Sequence, residues 1–347
     1  MTRRQILESA AALVSAKALL GDSEAHSRNL GGAPAGFPVH MKMARETGKP
    51  FDFVDCCHEL GFGVVETRLR STDPASIREF RRKLDTYNMR AIADIPLPRE
   101  EGAVAAFDAA VKAAKEAGVI SLHAAMTARR YEQFDSFAAF KKNFEQCQNT
   151  VALAEPVLRK HQMRLGIENH KGWRSAEQAA WLKRLGSEWV GVHFDFGNNI
   201  SLCETPEETL RNLQPYAVAC HIKDMAVEPY ADGFLLSEVP LGEGILDLKG
   251  MVASLQGKDP NMPFDLEMIT RDPLKIPVFT DKYWATFDDS YSPLPGRDLA
   301  RVLELVHKNP PKERLPETTG MSTEAQLKME NDNVRRSIEY ARRNLAL

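Results

Sequence analysis

The chain has 347 residues, and its 45 Lys and Arg against 48 Asp and Glu give a formal charge of −3. This near balance, without a dense basic run, argues against a protein that coats nucleic acid. Hydrophobic residues make up 43% of the sequence and charged residues 27%, as in globular proteins, and no apolar stretch reaches the ~20 residues of a membrane span. The five cysteines show neither zinc-type spacing nor a disulfide framework.

The first 35 residues are predicted to be an export signal and a linker. Arg3 and Arg4 precede a mostly small and apolar segment, as in signals that export folded proteins, and this predicts a periplasmic or otherwise exported enzyme. Lys17 interrupts that segment, and the residues around it form a poor cleavage site. The alternative is an ordinary amphipathic segment at the start of a cytoplasmic protein.

The rest of the chain alternates between strand and helix patterns. Helix boundaries are marked by Asp73 and Pro74 at one start and by Gly118 and Gly186 at two ends. Strands are predicted at 36–42, 63–69, 89–96, 119–126, 164–170, 190–197, 217–225 and 264–270. Helices are predicted at 51–60, 73–88, 100–117, 137–161, 175–185, 206–213, 247–255, 297–307 and 323–344.

Eight strand–helix units predict parallel strands joined by right-handed crossovers, and therefore a single (β/α)8 TIM barrel of the α/β class. The barrel is assigned to residues 36–270, and 271–347 are assigned to a post-barrel loop and a C-terminal helical extension. An open doubly wound sheet is the alternative. It usually carries a G-x-G-x-x-G turn, which this sequence lacks.

The last four predicted strands each offer one potential metal ligand: Glu168, Asp195, His221 and Glu267. A charged side chain in a buried strand is costly unless it is paired or bound to a cation. Any one of these residues alone fits a salt bridge or a helix cap, but four neighbouring strands carry them at similar depth. Three carboxylates and one imidazole suit Mn²⁺, Mg²⁺ or Co²⁺, with Zn²⁺ as a further option.

The segments Glu-Asn-His, Asp-Phe-Gly-Asn and His-Ile-Lys-Asp, followed by a glutamate in the last strand, resemble the xylose isomerase-like TIM-barrel superfamily. This group includes D-tagatose 3-epimerase-like enzymes, inosose dehydratase and apurinic endonucleases, and the resemblance covers roughly residues 36–270. It implies that Glu168, Asp195, His221 and Glu267 bind one divalent metal. It also implies that Glu168 and Glu267 are the acid and base of the reaction.

Two positions depart from the epimerases within that superfamily. Asn198 stands where they commonly place a histidine, three residues after the ligand Asp195. Lys223 and Asp224 follow His221 directly, whereas the epimerases often carry an arginine several residues later. Since both positions help to bind substrate oxygens in the relatives, these differences leave the exact reaction open.

A second set of residues is predicted to contact substrate or to support the ligands: Glu66, His123, His170, Trp173, His193, Asn198, Lys223 and Arg271. Each has a structural alternative, such as a Glu66–Arg68 salt bridge, packing of Trp173, or a solvated charge at Arg271. Two insertions, 227–244 and 271–295, follow barrel strands and are therefore expected at the catalytic mouth.

The site predicts a divalent-metal-dependent isomerase or epimerase that acts on a keto sugar or related polyol through an enediolate. The alternative is a lyase on the same scaffold, either a dehydratase or an enzyme of β-elimination from a 3-keto sugar. An apurinic endonuclease needs more metal ligands and a more basic surface. A non-catalytic binding barrel would not need both glutamates. The partners predicted are a small carbohydrate and a second copy of the chain.

Overall fold

The computed structural model describes residues 27–287 and 296–347. Arg3, Arg4 and the apolar segment of the predicted export signal lie outside these ranges. Within them, none of the helices combines the length and the apolar character needed to cross a bilayer.

Eight parallel strands form a closed barrel, as predicted. In chain order they are β1 Ser27–Gly32, β2 Phe62–Arg68, β3 Arg90–Asp94, β4 Val119–Ala124, β5 Leu165–Glu168, β6 Val190–Asp195, β7 Ala217–Ile222 and β10 Phe264–Leu266. Each strand pairs with the next in this series, and β10 pairs with β1 to close the ring. The carboxyl ends of all eight strands therefore meet at one mouth.

The predicted strand at 36–42 is wrong, because the first barrel strand lies earlier, at Ser27–Gly32. Residues 38–47 instead form a helix that begins at Pro38 and ends before Gly48 in the left-handed conformation. The strand was missed because Ser-Arg-Asn-Leu-Gly-Gly lacks the apolar alternation of a half-buried strand. The barrel thus begins inside the segment that was interpreted as a linker.

The helices surround the barrel, and their boundaries follow the predicted capping residues. The Asp73 side chain accepts a hydrogen bond from the Ser76 backbone N–H at the start of α3, and Asn88 ends that helix with φ 52°. The helices are α1 Pro38–Thr47, α2 Phe53–Glu59, α3 Pro74–Tyr87, α4 Val104–Glu116, α5 Arg130–Gln133, α6 Phe137–His161, α7 Ser175–Leu185, α8 Pro206–Leu213, α9 Leu248–Lys258, α10 Asp281–Trp284, α11 Gly296–Lys308 and α12 Thr323–Tyr340.

The insertion predicted at 227–244 folds as a β-hairpin. Strands β8 (Asp224–Tyr230) and β9 (Gly233–Val239) pair in antiparallel fashion, and β11 (Leu274–Ile276) adds to the free edge of β9. The last barrel strand is also shorter than the predicted 264–270, since β10 ends at Leu266. This small sheet joins the segment after β7 to the segment after β10.

Gly31 is required by the close packing of β1 against its neighbours. A Cβ at this position would overlap the Asp265 carboxylate of β10 and lie 2.7 Å from Val64 Cβ of β2. We expect Gly31→Ala to lower the free energy of unfolding by about 1–3 kcal/mol, the usual effect of overpacking. Urea denaturation measures this change.

Gly257 provides the control, because a Cβ there meets no atom within 4 Å and the residue lies in helix α9. Gly257→Ala should leave stability unchanged or raise it by up to about 1 kcal/mol. Equal stability of the Gly31→Ala protein and the parent would contradict the placement of β1 between β2 and β10.

Candidate active site

The four predicted metal ligands converge at the mouth of the barrel. Glu168 ends β5, Asp195 ends β6, His221 lies near the end of β7, and Glu267 directly follows β10. One donor atom from each of these residues lies within 4.8 Å of the donor atoms of the other three, and all four residues are buried. The register explains part of this convergence, since Asp195 pairs directly with His221, and Asp265, two residues before Glu267 and on the same strand face, also pairs with His221.

His221 Nδ1 is the centre of this group. It lies 3.9 Å from a Glu168 oxygen and 3.8 Å from a Glu267 oxygen, and it has no hydrogen-bond partner among the described residues. A buried nitrogen between two carboxylates, with a third carboxylate close by, matches the donor set of a divalent cation. The residues therefore fit a site for Mn²⁺, Mg²⁺ or Co²⁺, and this donor set does not distinguish between these ions.

Lys223 supplies the positive charge closest to the acidic ligands. Its Nζ lies 2.6 Å from Asp195 Oδ2 and also contacts Glu267, and the side chain is fully buried. The other Asp195 oxygen accepts hydrogen bonds from the backbone N–H groups of Gly197 and Asn198 at 3.0 and 2.8 Å. Lys223 thus holds two of the ligand carboxylates together.

The carboxylates respond to this arrangement in different ways. Burial would raise the pKa of Glu267, but Lys223 and His221 outweigh burial and lower it to about 2. Burial also opposes the charge on Glu168, yet His170, a hydrogen bond from His123 and the nearby His221 keep its pKa well below the usual range. Burial dominates at Asp195 and raises its pKa. Both glutamates are therefore ionised at neutral pH and able to accept a proton.

Glu66 of β2 fixes the orientation of His221. Its carboxylate lies 2.8 Å from His221 Nε2, which makes Nε2 the nitrogen that donates to Glu66 and leaves Nδ1 on the side of the candidate ligand carboxylates. Burial opposes a charge on His221, but Glu66 and Glu267 outweigh burial and raise its pKa, so a cation bound at Nδ1 would displace a proton. Such a carboxylate partner sets the tautomer of a metal-binding histidine and increases its basicity. Glu66 was predicted as a substrate contact with a salt bridge to Arg68 as the alternative, and its observed partner is His221.

We expect Glu66→Gln to weaken divalent metal binding by about 10- to 100-fold, because the amide no longer stabilises the required tautomer of His221. Calorimetric titration with Mn²⁺ measures this effect. Glu79→Gln, on an exposed position of α3, is the control and should bind Mn²⁺ like the parent. Unchanged affinity in the Glu66 variant would show that this carboxylate does not orient the ligand.

Three histidines form a compact group beside Glu66. The His193 ring lies 4.1 Å from the His221 ring and 4.6 Å from the His123 ring, measured between centroids. His123 Nδ1 lies 2.7 Å from Asp94 Oδ1, and its Nε2 lies 3.2 Å from Glu168. Neither nitrogen of His193 has a hydrogen-bond partner among the described residues, and burial lowers its pKa, so it is neutral.

The loops after β5 and β6 supply further polar contacts. Asn198 Nδ2 donates to Glu168 Oε1 at 2.9 Å, and Asn198 Oδ1 accepts a hydrogen bond from Lys171. His170 is half-buried, and its Nδ1 lies 2.8 Å from the Thr127 carbonyl oxygen. The predicted residues Asn198 and His170 thus lie beside the ligands, and Lys171 is an addition that the sequence did not single out.

Trp173 does not have the exposed position expected of a sugar-stacking residue. Its ring is 1% exposed and packs against Phe144 and Trp181, with centroids 5.2 and 5.3 Å away. From its position shortly after β5, Trp173 could either contact a sugar or pack in the core. Its contact with Phe144 of α6 shows that it packs in the core. The predicted substrate contact at Trp173 is therefore corrected to a core residue.

Arg271 is not a solvated loop charge. Its guanidinium pairs with Glu238 of β9, with Arg271 Nε 3.1 Å from Glu238 Oε2. Burial opposes the charge on Arg271, but Glu238 outweighs burial and raises its pKa. The pair joins the hairpin to the segment after β10. The sequence did not indicate this pair, because Glu238 belongs to the insertion 227–244 and Arg271 to the insertion 271–295.

Arg130 anchors the rim of the mouth. Its side chain is fully buried, with the guanidinium 3.6 Å above the Phe140 ring and 4.1 Å from the Phe287 ring. It also pairs with Glu177 of α7 at 3.0 Å and donates to the Thr286 carbonyl. One side chain thus ties the segment after β10 to α6 and α7.

Comparison with known proteins agrees with this architecture. Residues 54–285 match the model of the xylose isomerase-like TIM barrel family. The closed barrel of eight parallel strands agrees with this match, and the chain belongs to that family. The resemblance noted in the sequence is thereby confirmed.

Solved structures with this fold include a D-psicose 3-epimerase crystallised with D-fructose. It is 13% identical, with a TM-score of 0.57 over 92% of this chain and 100% of that protein. The 3-keto-D-glucoside 4-epimerase YcjR from E. coli is 13% identical, with a TM-score of 0.52 over 80% of this chain and 99% of that chain. The probable 3-DHS dehydratase AsbF from Bacillus anthracis is 15% identical, with a TM-score of 0.51 over 69% of this chain and 91% of that chain.

Two relatives are detected by sequence. Protein YihM of Escherichia coli K12, of unassigned function, is 22% identical over 227 residues, which are 63% of this chain and 66% of YihM. A 3-oxo-isoapionate decarboxylase of Pectobacterium atrosepticum is 26% identical over 109 residues, which are 31% of this chain and 40% of that protein. The alignments span just under two thirds of the first relative and less than half of the second.

Proposed function

We propose that this chain is a divalent-metal-dependent isomerase or epimerase of a keto sugar, with Glu168 and Glu267 as the proton-transfer groups. The observation that carries the proposal is the position of these two carboxylates. They come from β5 and from the residue after β10, and each lies within 4 Å of the same nitrogen, His221 Nδ1. One carboxylate beside the cation site can remove a proton, and the second, once protonated from solvent, can return one.

Glu168, Asp195, His221 and Glu267 would hold the metal. When bound, it polarises the keto oxygen of the substrate and stabilises the charge of the enediolate. The chain itself moves the proton. One glutamate removes the proton from the carbon next to the carbonyl. The second glutamate, which takes up a proton from solvent before this step, returns that proton to the opposite face of the enediolate, and the roles exchange in the reverse direction.

Lys223 and Asn198 support these two groups. The Lys223 ammonium contacts Glu267 and keeps that carboxylate ionised when it is to act as the base. The Asn198 amide donates to Glu168 Oε1, which leaves the other Glu168 oxygen near His123. Glu267 is therefore held by one donor and Glu168 by contacts at both oxygens, which limits the rotation of each carboxylate during proton transfer.

A lyase reaction is the second candidate, and the two buried ammonium groups favour it. After removal of the proton next to the carbonyl, the enediolate expels a β-hydroxyl group or glycosidic oxygen, which must take a proton as the C–O bond breaks. Lys223 and Lys171 are donors placed beside Glu267 and Asn198. The similar fold of a probable dehydratase supports this alternative at the level of the scaffold.

Product analysis in D2O separates the two reactions. The metal-loaded protein is incubated with a panel of keto sugars, including D-fructose and 3-keto-D-glucose, and the products are followed by NMR. Solvent deuterium on carbon without loss of a group identifies an isomerase or epimerase. An unsaturated or deglycosylated product identifies a lyase, and the absence of exchange and elimination across the panel contradicts both.

A further inference from the structure

Lys171 differs from the other buried cations of the described residues. Three of the four fully buried Lys and Arg side chains have a carboxylate partner: Arg130 pairs with Glu177, Arg174 with Asp298, and Lys223 with Asp195. Lys171 is 3% exposed and is in no ion pair within residues 27–287 and 296–347. Its Nζ donates to a neutral group, the Asn198 side-chain oxygen.

This arrangement is costly in the free protein. A buried ammonium without an anion loses its hydration and regains little of that energy from one amide oxygen. Lys171 also has φ 46°, in the left-handed region that a residue with a side chain rarely adopts. The Lys171 carbonyl accepts a hydrogen bond from the Arg130 backbone N–H at 3.1 Å, which helps to hold this conformation. Such strain is concentrated at functional sites.

The ammonium lies beside the reaction centre. Asn198 links it to Glu168, since the amide accepts from Lys171 and donates to Glu168 Oε1 at 2.9 Å. Burial and the nearby Lys223 lower the pKa of Lys171 to about 8. Two buried ammonium groups that repel each other would both be stabilised by an anion placed near them.

We propose that the substrate is a keto sugar acid and that Lys171 binds its carboxylate, an inference that rests on the proposed function and narrows its substrate class. The substrate thus supplies on binding the negative charge that Lys171 lacks in the free protein. The carboxylate is held close to the face of Glu168, so binding also sets which carbon lies between the two glutamates.

A carboxylate fits this site better than a phosphate. Phosphate groups in barrels of this kind are usually held by several backbone N–H groups in the loops after the last strands. Here the N–H groups of Gly242, Gly244 and Leu246 all donate to the Asp224 carboxylate, at 3.0, 2.9 and 3.1 Å. Because these N–H groups are bonded to Asp224, they do not offer donors to a phosphate. A carboxylate needs fewer donors, and the Lys171 ammonium can bind it.

Calorimetric binding to the Mn²⁺-loaded protein tests the inference. D-gluconate, which carries the carboxylate, is compared with D-glucitol, which is neutral. We expect D-gluconate to bind more tightly, and Lys171→Met to reduce that preference by about 10- to 100-fold, as for the loss of one charge-assisted hydrogen bond. Lys171→Arg should keep part of the preference. Lys275→Met, at an exposed position of β11, should keep all of it.

Three results would overturn the inference: equal binding of the two compounds, a preference that survives Lys171→Met, or tighter Lys171-dependent binding of D-glucitol 6-phosphate than of D-gluconate. Thermal unfolding of each variant shows whether it is folded. The proposed function is tested separately by exchange in D2O. If the protein exchanges deuterium into neutral keto sugars but shows no Lys171-dependent preference for D-gluconate, the proposed function stands and the proposal of a sugar-acid substrate is wrong.

Discussion

Replacing either Glu168 or Glu267 by glutamine is expected to lower turnover by at least about 100-fold, and by up to about 10,000-fold, while the protein still folds. Glutamine has the size and polarity of the residue it replaces but does not accept the proton. Each carboxylate lies within 4 Å of His221 Nδ1, and their strands β5 and β10 are separated in the ring by β6 and β7. The loss should appear in the rate of deuterium incorporation at saturating substrate and metal.

Glu188→Gln serves as the matched control, because this glutamate is exposed in the segment between α7 and β6. It should retain full activity. Near wild-type turnover in either the Glu168 or the Glu267 variant would disprove the mechanism with two glutamates. Circular dichroism of each variant shows whether a low rate reflects chemistry or loss of the fold.

Lys223→Met is expected to destabilise the metal-free protein by about 3–5 kcal/mol, because it leaves Asp195 and Glu267 buried without their cation. The Lys223 side chain is fully buried and pairs with both carboxylates. A divalent metal replaces the missing charge, so Mn²⁺ should restore a large part of the stability. Thermal and urea unfolding with and without Mn²⁺ measure both effects.

The Glu267–Lys223 pair also gives this prediction a pH dependence. The pKa of Glu267 falls from 4.5 to about 2 in the folded protein, so its contribution is present above about pH 4.5 and is lost as the pH falls towards 2. The parent should lose this part of its stability in that window, whereas Lys223→Met should not. If the stability difference between the parent and Lys223→Met is the same at every pH, and Mn²⁺ does not reduce it, then Lys223 does not compensate the charges of these carboxylates.

The barrel and the convergence of Glu168, Asp195, His221 and Glu267 could be predicted because both depend on local patterns. Capping residues such as Asp73 and Gly186 mark helix ends whatever the tertiary context, and acidic residues at strand ends stand out against buried apolar neighbours. The parallel topology then brings the strand ends together. The ligands Glu168 and Asp195 needed no information beyond their places on consecutive strands.

The remaining residues depend on contacts that the sequence does not record. Strand β1 lacks alternation because Gly31 must make room for Asp265, a constraint imposed by a residue more than 230 positions away. Arg271 pairs with Glu238 of the hairpin, and Trp173 packs on Phe144 of α6. Asp94, which bonds to His123, ends its strand as Glu168 does, so the same rule of strand-end acids would have found it.

The anchoring of Arg130 bears on how a sugar reaches the glutamates. Opening the rim on this side would pull a buried guanidinium away from two aromatic faces, from Glu177 and from the Thr286 carbonyl. The Asp94 side chain at the end of the neighbouring strand β3 is 34% exposed, although its partner His123 is buried. We therefore expect a substrate to enter beside Asp94 at the end of β3, whereas the segment held by Arg130 stays in place.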